Sequence, residues 1–333
     1  MRTTLDETAN SRRDELLERA ATLAQGRKGA GGPPGEKAAQ LLKYFYRHVA
    51  SEDINERSEV DLYGAAMSQY KQAAYRPQGT ANIRVFTPTV AEHGWSAGGH
   101  TVVEVVTDDM PFLVDSVTME LNEQHREVHM VVHPQILVRR DVAGQLQEVF
   151  TEDEKQFDRQ DLPHDVFRES WMHIEIGRES SSIQREEIES ALGKVLLDVR
   201  EAVEDWPKMH AQAMQIIEDL DENPPPLPAE EIEEGKALLR WLADEHFTFL
   251  GYREYRLDDE GGADGDESTD DVALRAVPGT GFGILRSDQD MSTSFGKLPP
   301  LVKAKAREKT LLVLAKANSK ATVHRPVYLD YVG

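Results

Sequence analysis

HTVVEVVTDDMPFLVDSVTMELNEQHREVHMVVHP, residues 100–134, changes its period twice. TVVEVVT (Thr101–Thr107) is a β-branched run too short for a helix, which makes it a buried strand. Asp108, Asp109 and Pro111 follow as helix-start signals. A first-turn carboxylate suits the positive end of the helix dipole, and proline is pre-set for the first turn. Val114, Val117 and Leu121 then recur at three- and four-residue spacing. MVVHPQILV (Met130–Val138) is a second strand, in which Pro134 marks an edge or a bulge.

Working outward, WMHIEI (Trp171–Ile176) alternates, with Met172, Ile174 and Ile176 on one face. Ile188, Ala191, Leu192, Val195, Leu196, Val199, Ala202, Val203 and Trp206 then make the strongest helical stripe of the chain. Strand, helix, strand, strand, helix is a split β-α-β order of the ferredoxin-like kind, an antiparallel sheet with helices on one face. The predicted class is α+β. Between Trp206 and Asn223 no fourth strand is legible, so the module is incomplete or is completed by another segment.

Upstream, the pattern is helical. Leu16, Leu17, Ala20, Ala21, Leu23 and Ala24 precede a glycine- and proline-rich break at residues 26–35. Ala38, Leu41, Leu42, Phe45 and Val49 keep a stripe, and Ser58 with Asp61 forms a capping box for a helix stopped by Pro77. Downstream, NPPPLP (Asn223–Pro228) is a stiff linker. An amphipathic helix through Ile232, Leu238, Leu239 and Leu242 follows. Strands are then expected at Phe247–Leu257, Gly281–Arg286, Leu311–Lys316 and Val327–Val332, as one sheet, with a low-complexity acidic loop at residues 258–271. The domain division read from these changes is 1–78, a helical segment; 79–222, the sheet module with its following helices; and 223–333, the linker and a further α/β module.

The chain of 333 residues carries a formal net charge of −22 and no cysteine. That charge excludes a basic nucleic-acid interface and an attraction to anionic membranes. The missing cysteines exclude disulfides, thiolate nucleophiles and Cys-ligated metals. With neither a signal peptide nor a membrane-length apolar run, the expected location is the cytoplasm. Between Asp141 and Glu260, 32 acidic side chains stand against 12 basic ones, while residues 301–333 are mainly basic. Solvated acidic faces explain the first better than an assembly surface does.

The candidate chemistry is sparse. PGTGFG (Pro278–Gly283) lacks the spacing of the dinucleotide motif and the helix after it, and reads as a tight turn. His125, His129 and His133 are four apart but straddle a helix end and a strand, so polar structural positions outweigh a metal site. Glu152, Asp153, Glu154, Asp158, Asp161, His164 and Asp165 lack the calcium-loop pattern. No nucleophile sits beside an evident base. The residues predict no catalytic, cofactor-binding or metal-binding position in this segment.

The stretch His100–Pro134 resembles the N-terminal region of the large bacterial NAD-dependent glutamate dehydrogenases. So do DLYGAAMSQYKQAAYRPQGTANIRVFTP (Asp61–Pro88), ESWMHIEIGR (Glu169–Arg178), HFTFLGYREY (His246–Tyr255), PGTGFGILR and VHRPVYLDYVG (Val323–Gly333), in the same order. The resemblance implies a regulatory and assembly segment of a homo-oligomer. Its parent would oxidise L-glutamate with NAD and water to 2-oxoglutarate, ammonium and NADH, in a catalytic part beyond Gly333. The Thr101–Trp206 region also looks like an ACT module, a fold that commonly binds amino-acid effectors, and residues 223–333 look like the start of a PAS-like module. ACT modules often carry Asp-x-Pro-Gly-Leu-Leu after the first strand. Asp109, Pro111, Leu113 and Val114 fit that pattern, with Phe112 in place of the glycine, where a side chain fills space a ligand would use. The effector site expected from this likeness is Asp108, Asp109, Met110, Pro111 and Phe112. The alternative is a free-standing amino-acid-sensing or interaction protein with an ACT-like module.

Overall fold

The computed structural model describes residues 2–26, 32–151, 162–258, 273–287 and 310–333. They fall into two compact units, residues 1–196 and 197–333. The runs at Glu152–Asp161 and residues 259–271, parts of the break at 26–35, and Lys303, Lys305, Arg307 and Lys309 lie outside the described residues.

The first unit opens with α1 (Arg2–Gly26), α2 (Gly35–Phe45), α3 (Ser51–Asn55) and α4 (Glu59–Gln72). The Ser58 hydroxyl accepts from the Asp61 N–H at 3.2 Å and caps α4, as the capping box requires. Then come β1 (Asn82–Phe86), the short α5 (Val90–His93), β2 (Thr101–Asp108), α6 (Leu113–Glu123), β3 (Val128–Val132), β4 (Gln135–Arg140), β5 (Leu146–Phe150), β6 (Val166–Ile176) and α7 (Ser182–Glu222), whose residues from Leu197 onward belong to the second unit. The strands make one antiparallel six-stranded sheet in the order β1-β2-β6-β4-β5, with β3 also paired to β6.

Two expectations change, and one open alternative is decided. First, Met130–Val138 is two strands. Pro134 cannot donate to the ladder, so the chain breaks there, and β3 and β4 take opposite ends of the long β6. Second, helices cover more than one face. The sequence placed Met172, Ile174 and Ile176 on one face of β6 and helices on one face of the sheet, yet Trp171, His173 and Glu175 of the other phase are buried too. Val106 and Trp171 share one core with Leu16, Leu42, Phe45, Ile54 and Leu62, so α1 to α4 form a layer over that face. The residues Val103, Val105, Met172, Ile174 and Ile176 occupy the opposite face. Of the two alternatives for the missing strand, the structure has the second: another segment, from upstream, completes the sheet. β1 runs antiparallel to β2 from Asn82↔Val106 to Phe86↔Val102, at the edge where a ferredoxin-like fold places its last strand. The stretch after Trp206 instead stays helical to Glu222, through Pro207. Trp206, assigned to the apolar stripe, is 39% exposed, while its neighbour Asp205 is buried.

In the second unit, α8 (Ala229–Trp241) leads into a π-helical turn (Leu242–His246). The strands that follow are β7 (Gly251–Tyr252), β8 (Tyr255–Asp258), β9 (Ala273–Ala276), β10 (Phe282–Gly283), β11 (Leu314–Lys320) and β12 (Tyr328–Val332). Among the described residues they form three separate two-stranded pairs, β10–β7, β8–β9 and β11–β12, in place of the single sheet expected. The PGTGFG turn reading holds. Gly279 and Gly283 have φ of 77° and 61°, and a Cβ on Gly283 would lie 2.1 Å from the Leu250 carbonyl oxygen.

Candidate functional site

The expected effector residues sit together at the end of β2. Helix α6 starts later than the sequence suggested, at Leu113, with Phe112 as its N-cap. The Asp-x-Pro segment is therefore a turn ahead of the helix. Ser116 N–H bonds back to the Phe112 carbonyl at 2.9 Å, leaving the earlier amides of the first turn without intrahelical partners.

Phe112 has φ 72° and ψ −2° and contributes no side-chain cap. This is the left-handed region, which costs an L-residue roughly 1–2 kcal/mol. The backbone thus keeps the shape that a glycine would adopt freely, with a half-buried ring mounted on it. Phe112→Gly and Phe112→Ala both delete the ring, but only alanine keeps the backbone penalty. Thermal denaturation should place the glycine variant about 1 kcal/mol above the alanine variant.

The two carboxylates of the turn are already engaged. Asp108 accepts from Arg76 Nη2 at 2.6 Å and from the Gly79 N–H at 3.1 Å. Asp109 accepts from Gln135 Nε2 at 3.1 Å, and its own N–H donates to the Arg168 carbonyl at 2.9 Å. Partial burial raises the Asp109 carboxyl above its ordinary value, against the opposing pull of Gln135 and Arg168. Asp108 carries a paired charge, so its repulsion toward an anion at the helix start is largely cancelled by Arg76.

Arg76 belongs to a larger constellation that sequence reasoning missed. Its Nε and Nη2 donate to Glu169 Oε1 at 2.9 and 2.7 Å. Arg140 Nε and Nη2 donate to Glu169 Oε1 and Oε2 at 2.5 and 2.8 Å, and Trp171 Nε1 donates to Oε2 at 2.9 Å. Arg76, Arg140 and Glu169 are all buried. Two guanidinium groups and two carboxylates therefore balance beside the turn, and Arg76 links the helical layer to both. Burial opposes charge on Arg76, but Glu169 and Asp108 outweigh it and raise its affinity for the proton. The one hint in the sequence was Trp171, an aromatic in the supposedly solvent-facing phase of β6.

The three histidines separate. His125 caps the end of α6 with φ 57°, His129 stacks on His100 at 4.2 Å, and His133 meets the Ser170 hydroxyl at 2.6 Å. Burial lowers His133 below its ordinary value. Among the described residues, no group of three or more His, Asp or Glu side chains is arranged to hold a metal ion. Among the same residues, no helix is long and apolar enough to cross a membrane.

Residues 41–192 match the family described as glutamate dehydrogenase, ACT1 domain. The chain is 32% identical over 326 residues to the NAD-specific glutamate dehydrogenase of Pseudomonas aeruginosa, covering 98% of this chain and 19% of that protein. It is 35% identical over 311 residues to that of Halomonas elongata, covering 89% of this chain and 18% of the relative. A third, from Mycobacterium tuberculosis, is 26% identical over 252 residues. The chain thus spans about a fifth of the length of the curated relatives it matches most extensively. The resemblance read from the residues is borne out.

Proposed function

We propose, for a chain that carries the ACT1 domain of the glutamate dehydrogenases and corresponds to one region of the large NAD-specific members, that it is their N-terminal regulatory and assembly part. The observation that carries this is the match over nearly the whole chain to relatives about five times its length. The reaction of the whole protein would be NAD-dependent oxidative deamination of L-glutamate, with NAD held outside this segment. The Gly-rich PGTGFG is spent on a strand turn, which supports assigning no catalytic or cofactor role here.

The regulatory element we favour is the turn Asp108–Phe112. The first-turn amides of α6, which have no partner within the helix, suit the carboxylate of an amino-acid effector, and the pairing of Asp108 with Arg76 removes the main electrostatic objection. Phe112 then sets how much space an effector has. For the residues after the proline linker, the helix α8 followed by short strands supports the PAS-like reading. A homo-oligomeric parent in the cytoplasm completes the proposal.

Calorimetric titration of the chain with a panel of amino acids tests the effector site, alongside absorbance of NADH with glutamate and NAD. The expected result is heat for one class of amino acid, lost or altered in Phe112→Gly and Asp109→Ala, with no NADH formed. Binding that ignores both substitutions would move the site elsewhere. Sustained NADH formation would overturn the assignment as a non-catalytic part.

A further inference from the structure

β1 pairs with β2 on one side only, so its other side is an edge of the sheet. Which groups it offers there follows from the ladder. The Asp109 N–H donates to the Arg168 carbonyl of β6 at 2.9 Å, so alternate residues back along β2, from Thr107 to Thr101, also turn their main chain toward β6. Val102, Glu104 and Val106 therefore face β1, with Phe86, Arg84 and Asn82 opposite them. That leaves the N–H and C=O of Ile83 and Val85 turned outward, and none of the four meets a hydrogen-bond partner among the described residues. β1 has neither a proline nor a register shift, two of the devices that close an edge. Its one charged residue, Arg84, lies over the Phe86 ring at 3.7 Å and 3.7 Å from Glu104 Oε2.

A groove of about 760 Å³ runs beside the first half of this edge, against Ala81, Asn82 and Ile83. Its walls come from opposite faces of the sheet. Asn82 Nδ2 donates to the Gln72 carbonyl at 3.1 Å, which holds the end of α4, with Lys71 and Tyr75, on one side. A Cβ on Gly193 of α7 would lie 3.8 Å from Ile83 Cδ1, so α7 stands on the other. Glu186 and Glu189 lie two turns and one turn ahead of Gly193, share its helix face and line the groove. Among the described residues, the side chains of Lys71, Glu186 and Glu189 make no hydrogen bond or ion pair. One wall is therefore cationic and the other anionic, and neither charge is spent within the chain.

We propose that the open edge of β1 takes up an extended segment of a partner protein, one whose side chains alternate between acidic and basic. Main-chain hydrogen bonds to Ile83 and Val85 add the segment as a further strand. Its side chains then fall alternately to the two walls, acidic ones toward Lys71 and basic ones toward Glu186 and Glu189. A second copy of the chain is a poor occupant. Pairing β1 with β1 antiparallel needs a two-fold axis normal to the sheet, which leaves each face on its own side. Lys71, Arg84, Glu186 and Glu189 would each approach their own counterparts, and like charges across a strand pair repel. The proposal does not depend on effector binding at Asp108–Phe112.

The test uses the whole chain and the capped heptapeptide Lys-Glu-Lys-Val-Lys-Glu-Lys, with Lys-Lys-Lys-Lys-Val-Glu-Glu as a control of equal composition. Amide NMR signals of Ile83 and Val85 are followed during titration. The expected result is saturable movement of both, with binding about tenfold weaker for the control, which breaks the alternation. Glu186→Lys with Glu189→Lys, both exposed on α7, should weaken binding of the first peptide about tenfold. Glu-Lys-Glu-Val-Glu-Lys-Glu should then bind that variant better than the first peptide does. Glu15→Lys with Glu187→Lys makes the same change in net charge at exposed positions outside the groove, and should leave binding within about twofold. Ile83 and Val85 signals that stay still, a control peptide that binds equally, or equal losses in the two charge-reversed proteins would overturn the proposal. So would a dimer in sedimentation whose Ile83 amide is protected from exchange, because a second copy would then close the edge.

Discussion

Glu169→Gln should cost the first unit about 3–5 kcal/mol, enough to unfold it under mild conditions. Glutamine nearly matches the shape but removes the charge and turns an amide donor toward guanidinium donors. Arg76 then keeps Asp108 at 2.6 Å and the Thr80 carbonyl at 3.0 Å, and Arg140 keeps the Gly144 carbonyl at 2.8 Å. Both guanidinium groups are buried, so neither can recover its hydration. Urea denaturation followed by circular dichroism measures the loss. A companion variant, Arg76→Met with Arg140→Met, Glu169→Leu and Asp108→Asn, should regain most of it, because apolar or neutral replacement of a complete buried ion cluster is often neutral or better. A Glu169→Gln protein within 1 kcal/mol of the parent, on the same scale of about 3–5 kcal/mol, would show that the network contributes little.

The second large effect is expected at Asp205, in the second unit. Its carboxylate, 1% exposed, accepts from the Gly283 N–H at 3.0 Å, Arg286 Nε at 2.8 Å and Lys208 Nζ at 2.9 Å. This one side chain fastens the PGTGFG turn to α7. Burial pushes its carboxyl up, but Arg286, Gly283 and Lys208 prevail and hold it far below the ordinary 3.8. Asp205→Asn should cost about 2–3 kcal/mol at neutral pH, a figure kept modest because Arg286 is 36% exposed and screened by water. The sign follows from the depressed folded value. The advantage of aspartate over asparagine is complete above 3.8 and drains away as pH falls through the folded value. Thermal melts of both proteins across the acid range check this; a gap that widens on acidification would contradict it.

The parts legible in the sequence were those with local causes. Ser58 and Asp61 announce α4 three residues apart, and the β-branched Thr101–Thr107 run admits little besides a buried strand. The turn Asp108–Phe112 between strand and helix was legible because its signals, Asp109 and Pro111, are adjacent in the chain. What stayed hidden depends on partners far away in sequence. NIRVF (Asn82–Phe86) alternates polar and apolar residues over only four positions, too short a run to announce a strand by itself. It becomes a strand by pairing with β2. The burial of Glu104, Glu169, His173 and Glu175 follows from the helical layer above them, which no alternation rule contains. Arg76 looks like an ordinary helix-end cation until Asp108 and Glu169 arrive, 32 and 93 residues later. After the linker, the expected strand Phe247–Leu257 divides into β7 and β8, β9 (Ala273–Ala276) was not anticipated, and pairing depends on register and turn geometry that short strands specify weakly.

The upstream origin of β1 also sets a schedule for assembly. In the usual ferredoxin-like order, the edge beside the first module strand waits for a strand that leaves the ribosome after the second helix. Here that edge is filled by Asn82–Phe86, synthesised before Thr101–Asp108 and separated from it only by a short connection. The loop to be closed is small, so the pair can form early, before β6 exists to flank it. By the time Ile176 emerges, every strand of the sheet has been made, and α7 can dock onto a finished surface. The nascent chain therefore never displays an open edge of β2 on that side while the later strands are still being translated, which is when an open strand most readily captures a neighbouring chain.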